Sequence, residues 1–364
     1  MMIVDRVTAL VPWMQERAAQ LDDAAAFPSE EIVALQRTGA LSMVLPIENG
    51  VRSDNSDAHA DRLATVLMQL GAGNLAVGRV VEAHINARHL IARYGSPRQI
   101  ARAADDSQAG HLFALWVTDP PGNGLRMTRT RSGIRLDGGK VFCSAAGHAT
   151  RVLVTATDDT GDSYMLVLAL GTGESVRMLE APLQGMRAAA TGAVDFTGCI
   201  ADDDACLGQL GDYLREPDFS AGAWRGSAVA AGGVQCLVAQ MKDQLRAAGR
   251  IENAHQLQRL GVAMIACETS RLWVRQTARI AEDQSVNPAK AVAYTGLARI
   301  AVETACLDAM QLVQRSLGLS AFRRGNPVER ICRDLGTYLR QPAPDDVLTE
   351  AAGHFSRHPA WAGA

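Results

Sequence analysis

Two hydroxyl residues, Thr118 and Ser144, stand at the ends of short apolar runs, and two carboxylates, Asp345 and Asp346, follow Gln341-Pro342-Ala343-Pro344. A strand hydroxyl can donate to the polar edge of a ligand, or be an ordinary strand residue. A carboxylate whose pKa is raised by burial can remove a proton from carbon, although Asp after Pro also serves as a turn residue or helix cap. Arg225, in Ala223-Trp224-Arg225-Gly226, offers a guanidinium suited to phosphate or carboxylate, with a solvated helix face as the alternative. His84, His111, His148, His255 and His354 stand alone, and such histidines are ordinarily surface or satisfied core residues. No pair of them has metal-ligand spacing, so no metal site is expected. The seven cysteines (Cys143, Cys199, Cys206, Cys236, Cys267, Cys306 and Cys332) contain no CxxC pair, which fits a reducing compartment and no disulfide framework. No GxGxxG follows a predicted strand, so a Rossmann-type dinucleotide site is not indicated.

The elements that position these residues change type along the chain. From Asp5 to about Ala104 apolar residues recur at three- and four-residue spacing, predicting amphipathic helices. Pro28-Ser29-Glu30-Glu31 starts one that Gly39 ends; Leu63 to Leu70 belongs to another; Gly78 to Tyr94 is a third, closed by Gly95-Ser96-Pro97. From about Gly110 the runs 112–118, 133–136, 151–156, 164–168 and 193–196 are short, apolar or alternating, and separated by Gly, Asp and Pro, which predicts strands. From about Ala221 the helical period returns in long segments centred near Val234, Ile265 and Ala301. Strands flanked on both sides by helices argue for segregated α and β domains. The expected architecture is α+β and multidomain: an N-terminal α-helical bundle over 1–109, a middle β-barrel-like domain over 110–212 and a C-terminal α-helical bundle over 213–364.

With 364 residues, 48% of them hydrophobic and 21% charged, the chain has ordinary globular composition and length for two or three packed domains. A net charge of −3 gives no electrostatic reason to expect nucleic acid. No signal-like apolar run follows Met1-Met2-Ile3-Val4-Asp5-Arg6, and no stretch suffices for a membrane span, so a cytoplasmic location is expected.

Four segments in order resemble the acyl-CoA dehydrogenase family. Phe27-Pro28-Ser29-Glu30-Glu31 with Leu35-Gln36-Arg37-Thr38-Gly39-Ala40-Leu41 is similar to the family's entry helix. Trp116-Val117-Thr118-Asp119-Pro120 and Leu136-Asp137-Gly138-Gly139-Lys140-Val141-Phe142-Cys143-Ser144 resemble its two flavin-contacting strands. Leu183-Gln184-Gly185-Met186-Arg187, running on to Val194-Asp195-Phe196, resembles its next turn and strand, and Pro327-Val328-Glu329-Arg330-Ile331-Cys332-Arg333-Asp334 its loop into the last long helix. The resemblance covers roughly residues 20 to 350. It implies FAD, held on the ring side by Trp116, Thr118, Phe142 and Ser144: Thr118 stands for the hydroxyl at the pyrimidine edge, Ser144 for the donor to N5 and Phe142 for the tryptophan packed on the ring. It also implies Gln314 and Gly318 as adenosine and pyrophosphate contacts at a subunit boundary, hence a homodimer or homotetramer, and Arg225 with its neighbour Trp224 as substrate-binding residues at the mouth of a substrate cavity. The implied reaction is oxidation of an acyl-CoA or similar carbonyl substrate, with an electron-transfer partner or oxygen as acceptor.

The pattern departs from the family where proton transfer is needed. The family's glutamate falls eight residues past the Arg-Asp pair, where this chain has Pro342; a minority place it beside the cavity arginine, where this chain has Trp224. Asp345 and Asp346 are the remaining carboxylates near that loop. The segment Leu245 to Glu252 lacks the family's phenylalanine, the double glycine near Gly318 is gone, and Pro120-Pro121-Gly122-Asn123-Gly124 shortens the loop that contacts CoA. Two alternatives on the same fold follow: a flavin-dependent monooxygenase or oxidase, although Gln341 replaces the histidine some of these carry, or a catalytically silent flavoprotein or partner subunit.

Overall fold

The structure, a computed structural model, describes residues 2–43, 47–48, 51–52, 56–171, 173–179 and 181–357. Among the described residues five helices form the N-terminal part: α1 (Ile3–Ala24), α2 (Ser29–Thr38), α3 (Ser56–Gly73), α4 (Leu75–Tyr94) and α5 (Pro97–Gln108). Their ends follow the local chemistry. Gly39 takes the left-handed conformation, φ 85°, that closes α2. Asn74 caps α4 by accepting from Ala76 N, and Ser96 and Gln99 form a capping box around Pro97 at the start of α5. A two-stranded ribbon, β1 (Ile47–Glu48) and β2 (Val51–Arg52), lies between α2 and α3 in sequence.

Among the described residues the middle region carries ten strands: β3 (Phe113–Trp116), β4 (Arg126–Thr130), β5 (Gly133–Asp137), β6 (Gly139–Cys143), β7 (Arg151–Thr157), β8 (Ser163–Ala169), β9 (Ser175–Met178), β10 (Gly192–Asp195), β11 (Ile200–Ala201) and β12 (Cys206–Leu207). They make a seven-stranded sheet ordered β11-β5-β4-β7-β8-β12, with β3 parallel to β7, and a three-stranded sheet ordered β6-β10-β9. The five predicted strands appear as β3, β5, β7, β8 and β10. Buried Lys140 fixes the chain after β3: its Nζ donates to Asp119 Oδ1 at 2.5 Å and Thr155 Oγ1 at 3.0 Å, while Val141 N donates to Thr118 O at 2.9 Å. A lysine this buried requires such partners.

Beyond the sheets lie the short α6 (Asp218–Ala221), then α7 (Trp224–Ala247), α8 (Ala254–Glu282), α9 (Pro288–Leu317), α10 (Pro327–Tyr338) and α11 (Pro344–Ser356). The three predicted long segments are α7, α8 and α9. Helices α3 and α7 touch backbone to backbone: a Cβ on Gly232 would stand 1.8 Å from Met68 O, and one on Gly71 would stand 2.0 Å from Val229 O. Only glycine permits that approach. One continuous apolar core links the helices to the sheets through Met14, Leu67, Trp116, Val154, Phe196, Trp224 and Leu335. All seven cysteines are free thiols. Among the described residues no helix is long and apolar enough to cross a membrane, and no cluster of His, Cys, Asp or Glu is placed to hold a metal ion.

Candidate functional site

Helix α4 is buried on most of its surface, yet it carries Arg79, Glu82, Asn86 and His89 at intervals of three, four and three. That spacing puts the four polar side chains on one helix face. All four line a cavity of about 200 Å³, together with Leu115, Tyr213, Arg225 and Tyr338. The face is wired by hydrogen bonds. Arg79 Nε donates to Ser144 Oγ at 3.2 Å, and its Nη1 to Glu82 Oε2 at 2.5 Å. Asn86 Nδ2 donates to Glu82 Oε1, while Asn86 Oδ1 accepts from Arg225 Nη1 at 3.1 Å. Arg225 Nη2 and Trp224 Nε1 both donate to Glu282 Oε1, at 2.7 and 2.9 Å. A line of polar contacts therefore runs from the end of β6, along α4, to the start of α7 and the end of α8.

A second cavity, of about 800 Å³, is bordered by Phe142, Ser144, Met186, Gln314, Phe322 and Cys332, among others. Arg79, Tyr338 and Gln341 line both cavities, so the two meet at these side chains. Phe142 reaches this cavity through a local irregularity. In the pairing of β10 with β6, Gly192 faces Cys143 but Val194 faces Lys140, so Val141 and Phe142 together oppose Ala193. Such a bulge re-aims a side chain. Phe142 adopts φ 56° and leaves 54% of its surface exposed. An aromatic residue in the left-handed region costs on the order of 1–3 kcal/mol, a strain characteristic of functional positions.

The wall opposite is α10, to which the Gly185-Met186 turn is tied. Met186 N donates to Asp334 Oδ1 at 2.6 Å and Gly185 N to Thr337 Oγ1 at 3.0 Å. A Cβ on Gly185 would lie 2.2 Å from Arg333 O. Burial pushes the Asp334 carboxyl up to about 6, against the Met186 N–H and the Arg330 guanidinium, which favour its charged form. Tyr338, at the end of α10, is 7% exposed and its hydroxyl has no hydrogen-bond partner among the described residues. Burial holds its pKa well above the usual range, so the group stays protonated.

The residues singled out from the sequence divide by position. Phe142, Ser144 and Gln314 come together on the larger cavity, and Arg225 lies on the smaller. Trp116 is buried behind them, its Nε1 donating to Ser144 O at 2.9 Å, so it supports the strand end instead of lining the cavity. Thr118 is exposed just beyond β3, and Gly318, φ 63°, is exposed at the C-terminal cap of α9; neither borders the two cavities. Trp224 is buried against Glu282. Asp345 and Asp346 are exposed in the first turn of α11, where carboxylates favour the helix dipole, and they border neither cavity. Arg79, Glu82, Asn86 and Tyr338 were not singled out. The signal was present as a polar stripe at 79, 82, 86 and 89 inside an otherwise apolar helix.

No family model matches the chain. The 3-sulfinopropanoyl-CoA desulfinase of Variovorax paradoxus is 27% identical over 150 residues, a match that spans 41% of this chain and only 31% of that protein. Solved structures match over nearly the whole length. Butyryl-CoA dehydrogenase from Megasphaera elsdenii superposes with a TM-score of 0.85 at 17% identity, covering 98% of this chain and 97% of that one. FMN-bound TdsC from Paenibacillus sp. A11-2 gives the same four values; that protein is a dibenzothiophene monooxygenase. The nitrososynthase from Micromonospora carbonacea var. africana gives 0.81 at 20% identity over 99% and 96%. Helical regions at both ends, the sheets between them and these superpositions agree: the chain has the acyl-CoA dehydrogenase fold.

Proposed function

We propose that the protein is a flavin-dependent oxidoreductase, with FAD along the larger cavity and an acyl thioester or related carbonyl compound entering the smaller one. The observation that carries this reading is the meeting of the two cavities at Arg79, Tyr338 and Gln341, beside the Ser144 hydroxyl. The lining residues fit the cofactor. Phe142 presents a ring whose backbone is strained to do so, Ser144 presents a hydroxyl, and Met186, Ala189 and Met310 add apolar wall. A bound flavin supplies a two-electron acceptor. On the chain's side, the protonated Tyr338 hydroxyl is a donor in want of an acceptor, and a substrate oxygen would satisfy it.

Proton removal is the atypical part. Pro342 and Trp224 occupy the two positions where the resemblance places a base. Glu82 borders the smaller cavity, but both its oxygens accept hydrogen bonds, from Arg79 and Asn86. With both oxygens engaged by these donors, Glu82 has no oxygen left uncommitted to face a substrate carbon. This favours a second reading, a monooxygenase or oxidase on the same fold in which flavin is reduced by an external donor. Anaerobic titration of the flavin-loaded protein separates the two. Bleaching by a panel of acyl-CoA thioesters supports the first reading. Reduction only by NADH or a flavin reductase supports the second.

A further inference from the structure

The polar line that starts on α4 and ends at α7 and α8 alternates in charge: Arg79, Glu82, Arg225, Glu282. Resting on the flavin reading above, we infer that Arg79 and Glu82 act as an opposed charge pair that sets the reduction potential of the bound flavin, Arg79 raising it and Glu82 holding it down. Arg79 Nε stands 3.2 Å from Ser144 Oγ, and its guanidinium borders both cavities. Its charge is offset by Glu82 at 2.5 Å, a residue only 6% exposed. Reduction by two electrons with fewer than two protons adds negative charge to a flavin. A cation nearby stabilises that form and an anion destabilises it, more strongly where burial limits screening. The competing explanation is an ordinary helical i,i+3 pair, which contributes little and touches nothing else. The geometry goes against it: Glu82 is buried, its second oxygen is held by Asn86, and Asn86 is held in turn by Arg225. Arg79 and Glu82 are therefore tuning residues, with no proton or bond assigned to either.

The test measures midpoint potentials by equilibration with reference dyes in the flavin-loaded wild type, Arg79→Gln, Arg79→Lys, Glu82→Gln and Glu82→Asp, with flavin content and thermal midpoint recorded for each. Arg79→Gln should lower the potential and Glu82→Gln should raise it, each changing the ratio of reduced to oxidised flavin affinity about tenfold, in opposite directions. The charge-conserving Arg79→Lys and Glu82→Asp should stay near wild type. If Arg79→Gln fails to fold, a raised potential in Glu82→Gln beside an unchanged Glu82→Asp is the supporting result. Unshifted potentials, or shifts of one sign in both neutral variants, in protein that holds its flavin overturn this inference alone. A wild type that takes up no flavin overturns the cofactor reading and the inference with it.

Discussion

Arg79 on α4 and Ser144 at the end of β6 are 65 positions apart in sequence and 3.2 Å apart in space, Nε to Oγ. Through this contact the N-terminal helices and the β-region meet at the junction of the two cavities, and most of the expected behaviour of the site depends on it.

Ser144→Ala removes the acceptor of Arg79 and a donor from the cavity edge. Flavin affinity should fall by roughly 1–2 kcal/mol, about tenfold, with little change in thermal midpoint. Fluorescence titration of flavin into the apoprotein measures this. Equal affinity would return Ser144 to the status of a strand residue.

His84 couples three elements at once. Phe113 N donates to its Nδ1 at 3.0 Å, which places the ring proton on Nε2, and that nitrogen donates to Leu41 O at 2.7 Å. Burial pushes the imidazole down to about 4, so protonation is more favourable in the unfolded chain and stability is lost as pH falls from 6.5 towards 4, on the order of 3 kcal/mol. Asp334 works in the other direction. Its carboxyl is raised from 3.8 to about 6, so its contribution is fully present below pH 3.8 and lost as pH rises through 6, by a similar amount. The two largely cancel in the wild type between pH 4 and 6. Denaturant titrations across that range should show stability falling with rising pH in His84→Gln and falling with acidification in Asp334→Asn. Parallel pH profiles in the two variants would contradict the assignment.

The outward side of α8 exposes Leu257, Met264, Ile265 and Leu272, which share one helix face. We expect this face to be covered by a second copy of the chain, since each such side chain contributes about 1.5–3 kcal/mol when fully buried. Light scattering at micromolar concentration should give a dimer or tetramer, and Ile265→Glu should shift it towards monomer. A flavin-loaded wild-type monomer would refute the expectation.

With Pro342 and Trp224 at the expected base positions, a short straight-chain acyl-CoA should reduce the flavin slowly, because general base catalysis commonly supplies about 10²–10⁴-fold. Asp345→Asn and Asp346→Asn should leave that slow rate unchanged, given their exposed positions on α11. Stopped-flow reduction checks both. A gain in Pro342→Glu counts as restored chemistry only if Pro342→Ala, which alters the same loop, lacks it. Brisk wild-type reduction abolished by either Asp variant would show that the base lies on this helix.

Much of the architecture could be read from periodicity, because amphipathic helices such as α4 and apolar strands such as β7 carry their burial pattern in local sequence. Phe142, Ser144 and Gln314 were found through motif order and do meet on one cavity. What local sequence hides is pairing across distance. Trp116 is an apolar strand residue whether it lines a cavity or backs Ser144, and only the Nε1 contact decides. The bulge that turns Phe142 outward depends on the register against Ala193, some fifty residues later. Arg79 and Glu82 look like an ordinary helical ion pair until Ser144 and Arg225 arrive from other elements. The short strands β11 and β12 have two residues each, too few to show alternation.

The proposed flavin site in the larger cavity is tested most directly by the stoichiometry and spectrum of flavin bound to purified protein, compared with Phe142→Asp. The wild type is predicted to bind one flavin per chain, with an absorbance spectrum shifted from that of free flavin, and the variant to bind it at least about tenfold more weakly while remaining folded. A folded, colourless wild type that takes up neither FAD nor FMN, or a Phe142→Asp variant with undiminished affinity, would contradict it.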